Sequence, residues 1–119
     1  GTTADVVVNM TVGATRCRIG AWTVLGLVSD TAVDSDTSVA DPSTATLTTV
    51  DGGFCIAATL CDSGVGVMTW TGGVTERYDD VPSGTQNYSG ADGATTAAGI
   101  SPSGDFSAGS SFTGVFATW

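Results

Sequence analysis

Glu76, the single glutamate of the chain, stands three and four residues before Asp79 and Asp80, within the stretch MTWTGGVTERYDD at residues 68–80. Two carboxyl groups at a set separation are what glycoside hydrolysis needs, one as acid and one as base or nucleophile. Trp70 and Tyr78 would supply rings to stack on a sugar. The competing reading is structural. A strand leaves a Gly72-Gly73 turn, and Arg77 and Asp79, two residues apart, share one face as an ion pair. The structural reading is preferred, because acid pairs are common and function resides in assembled sites.

Other chemistries fall to composition. The chain has no histidine and no lysine, which excludes Ser-His-Asp, Cys-His and Ser-Lys nucleophilic sites. Cys17, Cys55 and Cys61 have no short paired spacing and do not form a tetrahedral zinc set. Asp30, Asp34, Asp36 and Asp41 crowd one loop and are the candidates for Ca2+. Their spacing lacks the central glycine and closing glutamate of an EF-hand, so a solvated acidic loop is expected there. Trp22, Trp70, Tyr78, Tyr88 and Trp119 would suit a carbohydrate platform, but such residues more often anchor cores and interfaces. Two sequons occur, at Asn9 and Asn87; the first sits inside an expected strand, a poor acceptor position.

Charge limits the partners. Twelve acidic residues against three arginines give a formal net charge of −9. Phosphate recognition needs clustered Lys or Arg, so neither nucleic acid nor an anionic membrane surface is an expected partner. The 119 residues fit one domain, 1–119, with enough surface to bury for a core. Residues 1–5 carry no positive charge and no long apolar run follows, so synthesis in the cytoplasm without a signal peptide is expected. On one strand Cys55 and Cys61 would stand about 20 Å apart, beyond disulfide reach. Buried free thiols in a reducing compartment are the expectation.

Period-two alternation organises the chain. Val6, Val8, Met10 and Val12 face one side of a first strand. Cys17, Ile19, Ala21, Thr23 and Leu25 alternate with Arg16, Arg18, Trp22 and Val24 in a long second one. Phe54, Ile56, Ala58 and Leu60 follow an Asp51-Gly52-Gly53 turn. Val65, Val67 and Thr69 form another run, with Met68 and Trp70 opposite. In a last strand over 111–119, Phe112 and Phe116 oppose Thr113, Val115, Ala117 and Trp119. Residues 29–46 read as a connection with one short strand, and 94–98 as at most a helical turn. Turn signals recur about every ten residues. The fold class is therefore all-β: an antiparallel, jelly-roll-like β-sandwich of about eight strands.

The order of segments carries a resemblance. TRCRIGAWTVLGL (15–27) is followed by an acidic, Thr-rich loop, DGGFCIAATLC (51–61), TWTGGVTERYDD (69–80), YSGADGATTAAG (88–99) and a terminal FATW. This pattern resembles a group of small β-rich proteins and C-terminal domains of tailed bacteriophages. The resemblance implies a virion structural protein on the head or tail surface, and no catalytic residues. The first functional expectation is thus a capsid decoration (cement) protein or head-fibre subunit bound to the major capsid protein lattice. It would be a homo-oligomer, a trimer, meeting its neighbours edge to edge. Its contact surface would draw on Val6, Val8, Phe116 and Trp119. The second expectation is a receptor-binding module of a tail fibre or spike, gripping a host surface glycan through Trp70, Tyr78 and the acids at 76–80. A depolymerase using Glu76 is the third.

Overall fold

The computed structural model describes residues 19–64, 66–81 and 84–119. The expected strand at 6–12, with Val6 and Val8, lies outside the described residues, as do Arg16, Cys17 and Arg18. Eight strands follow: β1 (Asp34–Ser38), β2 (Ser43–Thr44), β3 (Phe54–Cys61), β4 (Met68–Thr71), β5 (Thr75–Asp80), β6 (Asn87–Ala94), β7 (Ser103–Phe106) and β8 (Phe112–Thr118). No helix occurs among the described residues, as the Thr, Val and Gly content dictates; residues 97–98 make only a turn.

All named pairs are antiparallel, in a five-stranded sheet ordered β1-β8-β3-β6-β5 and a three-stranded sheet ordered β2-β7-β4. The pairings β1 with β8, β2 with β7 and β3 with β6 are those of one long double ribbon rolled on itself, the jelly-roll arrangement. The ribbon's tip departs from it. β5 leaves β4 and pairs with β6, at the edge of the larger sheet. Gly72 and Gly73, with φ of 77° and 93°, therefore carry the chain from one sheet to the other instead of closing a hairpin. An ideal Cβ on Gly73 would already press on the Ile100 side chain at 3.3 Å.

The inner face of the larger sheet is built of small side chains. Cys55, Ala57, Cys61, Ser89 and Ala91 have no more than 0% exposure. Both parities of β3 are apolar, so alternation alone does not choose between them; the cysteine-bearing side turns inward. Bulky groups fill the space from the opposite sheet and its extensions, with Leu47, Met68, Ile100 and Phe106 all buried. Phe116 of β8 joins them. The stretch 43–49, whose first four residues end the expected connection at 29–46, alternates strictly between buried and exposed. It extends the β2–β7 ladder through Ala45 N–H to the Pro102 carbonyl at 3.2 Å and Leu47 N–H to the Ile100 carbonyl at 2.9 Å.

Trp70 ties the two halves together. It packs against both buried clusters, the one around Leu47 and the one around Met68 and Phe106. Its Nε1–H donates to Ser89 Oγ at 2.8 Å, and Ser89 Oγ–H donates to the Tyr78 carbonyl at 2.9 Å. Gly104 makes this packing fit: any Cβ there would collide with Met68 and crowd the indole at 3.2 Å. Truncation by Trp70→Ala is expected to cost about 3–5 kcal/mol in a urea melt. Arg77→Ala, which breaks an ion pair with 53% of the arginine side chain exposed, is expected to cost clearly less than Trp70→Ala. Equal losses would contradict the core position of Trp70.

Candidate functional site

The outer face of the larger sheet holds the densest grouping of chemically able side chains. Tyr78 of β5 lies opposite Gly90 of β6, where the missing side chain gives its ring a seat on the sheet. Trp22 comes to rest against it, with ring centroids 6.1 Å apart and planes tilted by 43°. Gly20 is required by this contact, since an ideal Cβ would fall 2.7 Å from Tyr78 Oη and 2.8 Å from the Trp22 ring. Residues 19–25, expected as a long strand, form no ladder. They cross the sheet, held by a side-chain bond: Trp22 Nε1–H donates to Asp92 Oδ2 at 2.9 Å.

Asp92 is the centre of the group. Its other oxygen, Oδ1, accepts from Arg77 Nε at 2.8 Å and Arg77 Nη2 at 2.6 Å. The pair puts a 9% exposed carboxylate against a guanidinium that reaches water. The expected Arg77–Asp79 pair is thus corrected. A bulge between Glu76 and Tyr78 shifts the register of β5 and aims Arg77 across to β6. The Asp92 carboxylate and the desolvated aromatic surface perturb their neighbours. Hydrogen bonding and charge from Asp92 raise the Arg77 pKa, and burial raises that of Tyr78.

Around these residues runs a cleft of about 540 Å³, bordered by Trp22, Arg77, Tyr78, Asp80, Tyr88 and Asp92. It continues into an apolar groove of about 380 Å³ floored by Ile56, Ala58, Leu60 and Val115.

Of the three carboxylates singled out by sequence, Asp80 borders this cleft and Glu76 and Asp79 do not. Glu76 and Asp79 oppose Ala91 and Ser89, which face the core side, whereas Tyr78 and Asp80 oppose Gly90 and Tyr88 on the outer side. The Glu76 pKa is raised, first by desolvation and then by the Asp79 charge. The Asp79 carboxylate reaches back to the Met68 N–H at 3.5 Å. Glu76 and Asp79 therefore sit on the face opposite the Tyr78 ring meant to stack a sugar, and Asp80, on the ring's own face, is parted from Glu76 by the sheet. Trp70, the other ring of that reading, is engaged in the core.

The acidic loop is likewise dispersed. Asp34 accepts from the Ser35 and Thr48 amides at 2.8 Å each, and these bonds hold its carboxyl below the usual range. Asp36 accepts from the Thr37 amide, Asp41 from the Phe106 amide and Asp30 from the Thr31 hydroxyl. Among the described residues no three His, Cys, Asp or Glu side chains gather where a metal ion could sit. Asn87 of the second sequon is fully buried. Its Nδ2–H donates to the Gly66 carbonyl at 2.6 Å.

Of the expected contact residues, Phe116 is corrected: at 3% exposure it belongs to the core, because β8 turns that parity inward. Trp119 is half-buried. It borders an apolar hollow of about 290 Å³ with Leu27, Val28, Val33 and Val50, a grouping that sequence reading missed because it joins a loop to a strand end. Cys55 and Cys61 are buried free thiols, as expected. No helix among the described residues is long and apolar enough to cross a membrane.

No protein-family model matches this chain, and no match is found among curated proteins or solved structures.

Removing Asp92 leaves three N–H donors, one of Trp22 and two of Arg77, without their acceptor, so Asp92→Ala is expected to lower stability by about 1–3 kcal/mol. It should also unseat residues 19–25, read as a red shift of Trp22 fluorescence in a Trp70→Phe, Trp119→Phe background. Burial, with the Asp92 charge adding, pushes the Cys55 thiol from 9.0 up to about 11. Between those values the unfolded chain has released a proton that the folded chain keeps, so stability falls as pH rises through that window. Thermal melts should show this decline, and Cys55→Ala should make it shallower. An unchanged slope would contradict the burial of the thiol.

Proposed function

We propose that this chain is a non-enzymatic structural subunit of a tailed-bacteriophage particle, a capsid decoration or head-fibre protein that docks on the major capsid protein lattice. The observation that carries the docking part of this reading is the apolar end of the sandwich. Leu27, Val28, Val33 and Val50, which line the Trp119 hollow, are 43%, 104%, 43% and 46% exposed in a chain of net charge −9. Contiguous exposed apolar surface on an otherwise acidic protein marks a contact site. The order of sequence segments supports the phage assignment, and the all-β body with buried thiols suits a passive building block assembled in the host cytoplasm.

The edges favour attachment through this end. β1 carries Asp34 and Asp36, and β5 carries Glu76, Asp79 and Asp80. Acidic edge strands repel one another and discourage strand addition between copies. The Trp119 end therefore meets the capsid lattice, and the copies stand as a trimer around a lattice axis without joining edge to edge. Stable attachment would bury about 1,200–2,000 Å².

Immunogold or cryo-electron imaging of purified particles is expected to show many copies over the head. Val28→Asp should abolish attachment while leaving the melting curve within about 0.5 kcal/mol of the parent. Copies confined to the tail tip, or attachment indifferent to Val28→Asp, would contradict the reading.

A further inference from the structure

The outer-face cleft is a built site that neither the docking end nor the core employs. We propose that it binds a neutral saccharide, with Trp22, Tyr78 and Tyr88 as the stacking surfaces and the Arg77–Asp92 pair as the polar anchor. This goes beyond the structural role proposed above and does not depend on it.

Size is the first argument. The cleft of about 540 Å³ lies in the range of small-ligand sites, about 300–1,000 Å³. Chemistry is the second. A sugar ring presents apolar C–H faces and a rim of hydroxyls, and it needs aromatic surface beside fixed donors and acceptors. The tilted Trp22 and Tyr78 rings form one wall, and Tyr88 borders the same space. The Tyr88 hydroxyl is oriented by its bond to Gln86 Oε1 at 3.1 Å. A guanidinium has five N–H donors, more than the single Asp92 oxygen opposite Arg77 can accept. Asp92, bonded on both oxygens, keeps that donor array in one geometry, so little order must be gained on binding.

Charge is the third argument, and it sets the ligand class. The Arg77 charge at the cleft is matched by Asp92, so no net positive charge is offered there by the pair, and the chain as a whole is strongly acidic. Sialylated, uronic or sulfated sugars would meet that field unfavourably, whereas neutral hexoses and N-acetylhexosamines would not. The adjoining groove over Ile56, Ala58 and Leu60 extends the surface for a second, less polar unit such as an acetamido methyl.

The test is a titration of the intact, isotope-labelled chain followed by NMR. The probes are neutral oligosaccharides of glucose, galactose, mannose and N-acetylglucosamine, beside a sialylated and a sulfated one. The expected result is saturable movement of the Trp22 indole N–H and of the Tyr88 and Gly90 amides with at least one neutral sugar, and weaker binding of the anionic ones. Tyr88→Ala should weaken binding about tenfold, as loss of one aromatic contact does. Val28→Asp, at the separate hollow beside Trp119, should leave it unchanged. Because Trp22→Ala also releases the 19–25 segment, Trp22→Phe serves as its partner and should retain part of the affinity. Absence of any shift with the neutral sugars, preference for the anionic ones, or binding that Tyr88→Ala leaves intact would overturn the proposal.

Discussion

The structure depends on how closely its two sheets approach. One sheet presents a surface of Cys, Ala, Ser and Gly, and the other inserts Leu47, Met68, Trp70 and Phe106 into it. Sheets stacked face to face stand roughly 10 Å apart, so only a small-against-large arrangement fills the gap without voids. Trp70 touches both buried clusters and also reaches the far sheet by a hydrogen bond. The Trp70–Ser89–Tyr78 relay then ties β4 of the smaller sheet to β6 and β5 of the larger one.

This packing explains why the chemistry lies outside. With the interior filled, Tyr78 of β5 and Tyr88 and Asp92 of β6 gather on the outer face. The migration of β5 to the larger sheet gives that face its extra strand, and the bulge at Arg77 aims the guanidinium at Asp92. Asp92 then captures the Trp22 indole and lays residues 19–25 over the sheet. The cleft exists because a segment is pinned across a sheet by one carboxylate, and its polarity follows from the groups doing the pinning.

Much of the core was legible in the sequence. β3, β4 and β8 announce themselves through β-branched and aromatic residues with period-two rhythm, and Gly72-Gly73 marks the change of direction from which β5 was inferred. The rest was hidden for physical reasons. β6 reads NYSGADGA, a poor strand by propensity; its glycine at 90 exists to seat Tyr78, and its aspartate is neutralised by partners far away in sequence. Residues 19–25 alternate like a strand, yet their anchor is a side chain 70 positions on, which no local pattern reveals. Phe116 looked available because terminal aromatics often are, and only the pairing of β8 with β3 shows which way its parity turns. Trp22 and Tyr78 were both visible as aromatics; their meeting was not.

Residue-resolved amide hydrogen exchange tests the sandwich packing most directly. β3 is paired on both sides, with Ala57 opposite Ala91 and Phe116, and its side chains seal the inter-sheet space. The amides of β3 should exchange slowest of all, at rates set by global unfolding, with β6 and β8 close behind. Exchange at Ala57 as fast as in the loop at 26–32 would mean that the sheets do not close on each other, and the account would fail.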